Sequence, residues 1–166
     1  MGQYNVCFSV IENLKYNSDG FPFASSYDFW TPLVLWYLKD CDTIRFDCWI
    51  DDENAISRVL PYAKKIDKKS IPYMTIVCLD ITIEVVEDLI KNPLDDEQKI
   101  AWFSVFLEKE GRIIFSSSHY GIELSVSGVN EQELEFLRSL ITPDFSFHIW
   151  DCSDMNNTDD YLWKTQ

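Results

Sequence analysis

Between Lys99 and Val126 the sequence alternates apolar and polar residues through three consecutive segments separated by turn residues, and this pattern limits the fold more than any other feature. Lys99 to Leu107 and Arg112 to Ser117 read as the arms of an antiparallel hairpin closed by Glu108-Lys109-Glu110-Gly111. Tyr120 to Val126 extends it into a meander, with Ile122, Leu124 and Val126 on one face. A side-chain period of two is strand geometry, and short connections between strands are available only to antiparallel pairs. The chain is therefore expected to be α+β, built mainly on an antiparallel sheet, rather than a doubly wound parallel fold.

Further strands follow from the same alternation. Val6, Phe8 and Val10 mark one over Asn5 to Glu12. Ile44, Phe46, Cys48 and Ile50 alternate with Arg45, Asp47 and Trp49 in a second, and Phe145, Phe147 and Ile149 mark the last, against Ser146, His148 and Trp150. Tyr73 to Asp80 reads as a buried strand, and Lys15 to Ser26, rich in Asn, Ser, Asp, Gly and Pro, as a loop.

About four short helices are expected. Thr31-Pro32 has the form of an N-cap followed by proline in the first turn and predicts a helix to about Lys39, although Leu33 to Leu38 also suits a buried strand. Asp51-Asp52-Glu53 supplies caps for a helix towards Lys65 that Pro61 must interrupt. Thr82 caps a third, with Val85, Val86, Leu89 and Ile90 inward and Pro93 beyond its end. Asn130 and Glu133 have capping-box spacing ahead of Leu134, Leu137, Leu140 and Ile141. No repeat or flexible linker divides the 166 residues, so residues 1–166 are expected to form a single domain. Residues 151–166 form an acidic tail whose Tyr161-Leu162-Trp163 could dock on the body.

Charge excludes several functions. Fourteen basic residues stand against 28 acidic ones, a net charge of -14. That field repels nucleic acid and anionic lipid, whose protein affinity is largely electrostatic, and attracts basic proteins. With 46% apolar residues the chain has the material for a core despite its charge. No basic leader precedes an apolar stretch at the start, and Leu33 to Leu38 is far short of the roughly 20 residues of a membrane span. Five cysteines, Cys7, Cys41, Cys48, Cys78 and Cys152, form no C-x-x-C and sit largely in apolar runs, the pattern of reduced thiols in a cytoplasmic protein.

The motifs of catalysis are missing. The five glycines match no phosphate-binding loop. His119 and His148 are the only imidazoles, and the neighbours in Ser116-Ser117-Ser118-His119 point to alternate faces of a strand, so they do not form a nucleophile and base. Asp154 to Asp159 resembles a calcium loop in part, but Asp159 replaces the required glycine and Thr165 the bidentate glutamate. No metal site and no cofactor is expected.

Acids and tryptophans remain. Asp51, Asp52 and Glu53, then Asp95, Asp96 and Glu97, then Asp151 and Asp154, and finally Asp159 and Asp160 are the clusters. Trp49 and Trp150 fall on the less apolar faces of their strands beside two of these clusters, and Trp163 lies in the tail. Aromatic anchors among carboxylates suit a binding surface for a basic protein. A small, acidic, aromatic-rich α+β chain without catalytic motifs resembles, as a class, the immunity proteins of bacterial polymorphic and contact-dependent growth inhibition toxin systems. The resemblance rests on size and character over the whole chain and transfers no residue. It implies a non-enzymatic inhibitor that covers a cognate, nuclease-type toxin domain, its carboxylates replacing nucleic-acid phosphates. The other readings are a small enzyme using His119 and His148, and a regulatory interaction module unrelated to toxins. Oligomeric state is not indicated by the sequence.

Overall fold

The computed structural model describes residues 4–151. The expectations on Cys152, Asp154, Asp159, Asp160 and Trp163, including the calcium-like loop and a docked tail, lie outside them.

Ten strands run β1 (Tyr4–Val10), β2 (Leu14–Tyr16), β3 (Pro22–Ala24), β4 (Thr43–Trp49), β5 (Ala63–Asp67), β6 (Met74–Asp80), β7 (Ser104–Lys109), β8 (Arg112–Ser118), β9 (Glu123–Val129) and β10 (Phe145–Asp151). Eight of them form one sheet in the order β10-β1-β9-β8-β7-β4-β6-β5, every neighbouring pair antiparallel, while β2 and β3 form a separate small hairpin. Four helices accompany them: α1 (Trp30–Leu38), α2 (Glu53–Val59), α3 (Ile83–Val85, continued by a wide turn over Val86–Ile90) and α4 (Glu131–Leu140). The architecture is the expected α+β with an antiparallel sheet, and among the described residues no helix is long and apolar enough to cross a membrane.

Cross-strand register explains the core. Val6, Val126, Phe115, Leu107, Ile44 and Leu79 are successive partners across six strands, and Phe8, Leu124, Ser117, Val105, Phe46 and Val77 form the adjacent row. All twelve are buried. Because side chains alternate, both rows point to one face, which the helices cover. Tyr37 of α1 stacks on Phe115 at 5.8 Å, and the indole N–H of Trp30 donates to Ser117 at 3.0 Å. Trp102 packs on Phe46 at 4.6 Å and donates to the Ala55 carbonyl of α2, and Phe136 of α4 stacks on Trp36 at 4.2 Å. The opposite face carries Cys7, Ser125, Ser116, Phe106, Arg45 and Cys78 in its central row. There Arg45 binds Asp47 through two hydrogen bonds of 2.8 Å and lies over Phe106.

Several local expectations are corrected. The segment 33–38 is helical, but α1 begins at Trp30 with Phe29 at its N-cap; the Thr31 hydroxyl donates instead to the Ile90 carbonyl at 3.1 Å. Burial of Trp30 and this tertiary bond outweigh the local capping signal. The loop expected over 15–26 contains β2 and β3, whose three-residue strands are too short to show a period. The helix expected towards Lys65 ends at Val59, ahead of Pro61, and Ala63–Asp67 is instead edge strand β5, where lysines discourage further pairing. β7 begins at Ser104 rather than Lys99, and β9 at Glu123 rather than Tyr120. Asp151 belongs to β10, not to the tail. The capping box at Asn130 and Glu133 is present as expected, with both bonds at 2.9 Å.

Candidate functional site

A cleft of about 930 Å3 opens where β4 ends. Three connections build it. In the β2–β3 turn, the Asn17 side chain accepts from the N–H groups of Asp19 and Phe21 at 3.1 and 2.8 Å, which turns Phe21 inward. After Trp49, the Asp52 carboxylate caps α2 by accepting from Ala55 N–H at 3.1 Å. Before β7, the Asp95 carboxylate accepts from the N–H groups of Glu97 and Lys99 at 2.9 and 3.2 Å and folds 95–99 into a tight loop. Side-chain acceptance of nearby backbone N–H groups is the property that places Asn and Asp at turns and caps.

Asp51 and Asp52 thus share one cleft with the cluster at 95–97, more than forty residues away in sequence. Among the described residues, Asp19, Asp51, Asp52, Asp95, Asp96 and Glu97 line it, together with two cations, Arg58 and Lys99. Both cations are engaged internally. Lys99, almost fully buried, pairs with Asp95 and sits 4.2 Å from the Tyr120 ring centroid. Arg58 lies over Trp102 at 4.9 Å and donates to the carbonyls of Leu94, Asp88 and Asn92. Among the described residues Asp19, Asp51, Asp96 and Glu97 form no ion pair. Glu53 stands exposed on the first turn of α2, beside the cleft but outside its lining.

An aromatic cluster forms one wall. Trp49 packs against Phe103 at 4.9 Å, Phe103 against Tyr120 at 5.4 Å, and Phe21 against Tyr120 at 6.0 Å. Tyr120 is held in the left-handed region, φ +57°, by its N–H donating to Phe103 at 3.1 Å and its carbonyl accepting from the Tyr27 hydroxyl at 2.6 Å. Burial, with Asp52 adding to it, pushes the Tyr120 phenol up to about 12, so it stays neutral.

The other predicted contacts lie elsewhere. Trp150 and Asp151 are on β10, which is separated from β4 by five inter-strand steps, about 24 Å at the usual strand spacing. They also sit at the opposite end of the sheet: Asp151 pairs with Tyr4, which pairs with Val129 at the end of β9, the end at which antiparallel β4 starts with Thr43, whereas Trp49 ends β4 on the far side. The candidate contacts, whose sharing of one face the sequence left open, therefore fall into two groups. Trp49, Asp51, Asp52, Asp95, Asp96 and Glu97 converge, and Trp150 with Asp151 occupies a distant corner.

His119 lies in the turn after β8, at φ +51°, rather than in a strand; its Nδ1 is 2.9 Å from a Glu123 carboxylate oxygen, and β1 and β9 stand between β8 and the strand of His148. Ser116 bonds to Ser125 and Ser117 to Trp30. Burial drives the Cys48 thiol up to about 12, opposite to the direction that activates a nucleophile. Among the described residues no three His, Cys, Asp or Glu side chains are grouped to hold a metal ion.

Phe21, Phe103, Tyr120, Asp19, Arg58 and Lys99 were not foreseen as parts of the site. None of them carried a local signal: Phe21, Tyr120, Asp19, Arg58 and Lys99 reach the cleft through long-range contacts, and Phe103 packs behind it against Trp49 and Tyr120. Comparison with protein-family models, with curated proteins and with solved structures finds no match to this chain.

Proposed function

We propose that this chain is an immunity-type inhibitor that binds and neutralises a basic toxin domain in the cytoplasm, and that the cleft at the end of β4 is its contact surface. The observation that carries the reading is the convergence of six carboxylates, two cations that are already engaged, and the ring of Trp49 on one concave site. Carboxylates presented in this way match the Arg and Lys residues with which a nuclease holds phosphate. The overall charge of -14 speeds the encounter with such a domain and suppresses competing nucleic acid. Neighbouring aromatics supply area that can be desolvated, which long-lived complexes need.

The test is co-expression with the variable C-terminal domain of a large secreted protein encoded immediately upstream in the native genome. The expected result is restored growth and a nanomolar complex whose association rate falls steeply with salt. Failure of the two chains to associate, or an association rate indifferent to ionic strength, contradicts the reading.

A further inference from the structure

Next to the cleft in the chain stand three exposed apolar residues that the backbone brings together as a ridge. Ile50 lies between Trp49 and Asp51, both cleft residues, and its N–H donates to the Tyr73 carbonyl at 2.8 Å. Met74 N–H donates to the Ile71 carbonyl at 3.3 Å and closes the turn 71–74. Ile50, Ile71 and Tyr73 are consequently neighbours, and they are 52%, 38% and 76% exposed.

Tyr73 is held at a cost. It follows Pro72 and has φ +64°, the third position of a type II turn, where glycine is favoured because a Cβ is disfavoured there. Tyr120 shares this backbone region but is buried and tied into the aromatic wall. Tyr73 gains no comparable burial, and among the described residues its side chain makes no hydrogen bond or ring contact. Neither packing nor hydrogen bonding accounts for a strained, outward-facing tyrosine beside two exposed isoleucines.

We infer that the partner's footprint crosses from the cleft onto the ridge, and that the partner presents an apolar side chain ringed by Arg or Lys. The inference rests on the inhibitor reading and specifies the chemistry of its partner. Charge complementarity selects this occupant on the Ile50 side, where Asp51 follows directly in the chain and Asp96 and Glu97 line the same cleft; the exposed Lys68 and Lys69 precede the 71–74 turn on its other side in sequence. The carboxylates govern the encounter, and the desolvated ridge governs the lifetime of the complex.

The experiment titrates the full 15N-labelled chain with two peptides of equal length and equal positive charge. One is built from Arg, Gly and Ser alone; the other carries leucines at its centre. The expected result is that both shift the amides of Asp51, Asp96 and Glu97, while only the second shifts Ile50, Ile71 and Tyr73 and binds about tenfold more tightly. Tyr73→Gly is expected to abolish that advantage without weakening binding of the Arg/Gly/Ser peptide and without lowering folding stability. Equal affinities for the two peptides, or an advantage retained by Tyr73→Gly, overturns the ridge proposal alone. If neither peptide shifts the cleft amides, the inhibitor surface falls and the ridge proposal with it.

Discussion

The ammonium of Lys99 rests 4.2 Å from the centroid of the Tyr120 ring while pairing with the Asp95 carboxylate, which joins the acidic loop to the aromatic wall of the cleft. The Lys99 side chain is 6% exposed and that of Asp95 25%. Removing one member of a buried pair leaves the other charge uncompensated, and partial exposure of Asp95 reduces that penalty. Lys99→Ala is expected to destabilise the fold by about 2–3 kcal/mol in urea denaturation. Asp95→Ala is expected to go further and loosen the 95–99 loop, because its carboxylate also holds two backbone N–H groups. A loss below about 0.5 kcal/mol for Lys99→Ala, the range of ordinary surface substitutions, contradicts the role given to the pair.

Gly121 and Gly128 both have positive φ, at +80° and +69°, but they differ in surroundings. A Cβ on Gly121 would meet Ile100 at 2.7 Å, Tyr27 at 3.0 Å and Trp30 at 3.3 Å, whereas on Gly128 it would meet nothing within 4 Å. Gly128→Ala is expected to show backbone strain alone, about 1 kcal/mol. Gly121→Ala adds overpacking against core rings and is expected to cost about 3 kcal/mol or more. Similar urea midpoints for the two variants would refute the close packing behind Tyr120.

Stability is expected to fall on the alkaline side. Burial raises Cys48 to about 12 and Cys41 to about 11, from an ordinary thiol value of about 8.5. Burial likewise raises Tyr120 to about 12, from about 10. In each case the folded state holds its proton more tightly than the unfolded chain. The contribution is therefore complete below the unfolded value and is lost as pH rises from about 9 towards 12. Urea midpoints measured from pH 7 to 11 should decline, and Cys48→Ala should decline less steeply. A flat profile, or an unchanged slope in Cys48→Ala, contradicts these environments.

Neutralising the unpaired acids of the cleft separates encounter from lifetime. Asp51→Asn, Asp96→Asn and Glu97→Gln together are expected to slow association with a basic partner about tenfold at low salt and to change dissociation little. Stopped-flow traces at two salt concentrations check this, and an effect confined to dissociation runs against it.

The strands were legible where one face is buried and the other is not, as in Val6, Phe8 and Val10 or Ile44, Phe46 and Cys48, because burial enforces the period. Capping boxes and cap residues were legible because they act within a few residues, as at Asn130 and Asp52. Edge strand β5 was hidden since no covered face imposes alternation on Lys64 and Lys65. The acids and Trp49 could be proposed from composition, but their convergence depends on pairing between distant strands. The same pairing, unreadable in one sequence, places Trp150 at the far corner.

Hydrogen exchange on the complex with the upstream-encoded toxin domain tests the central claim most directly. Slowed exchange is expected in the peptides spanning 17–21, 49–58, 71–74 and 94–101, with no change in β10. Protection concentrated at Trp150 and Asp151, or on the open face around Arg45 and Phe106, would contradict the cleft as the contact surface.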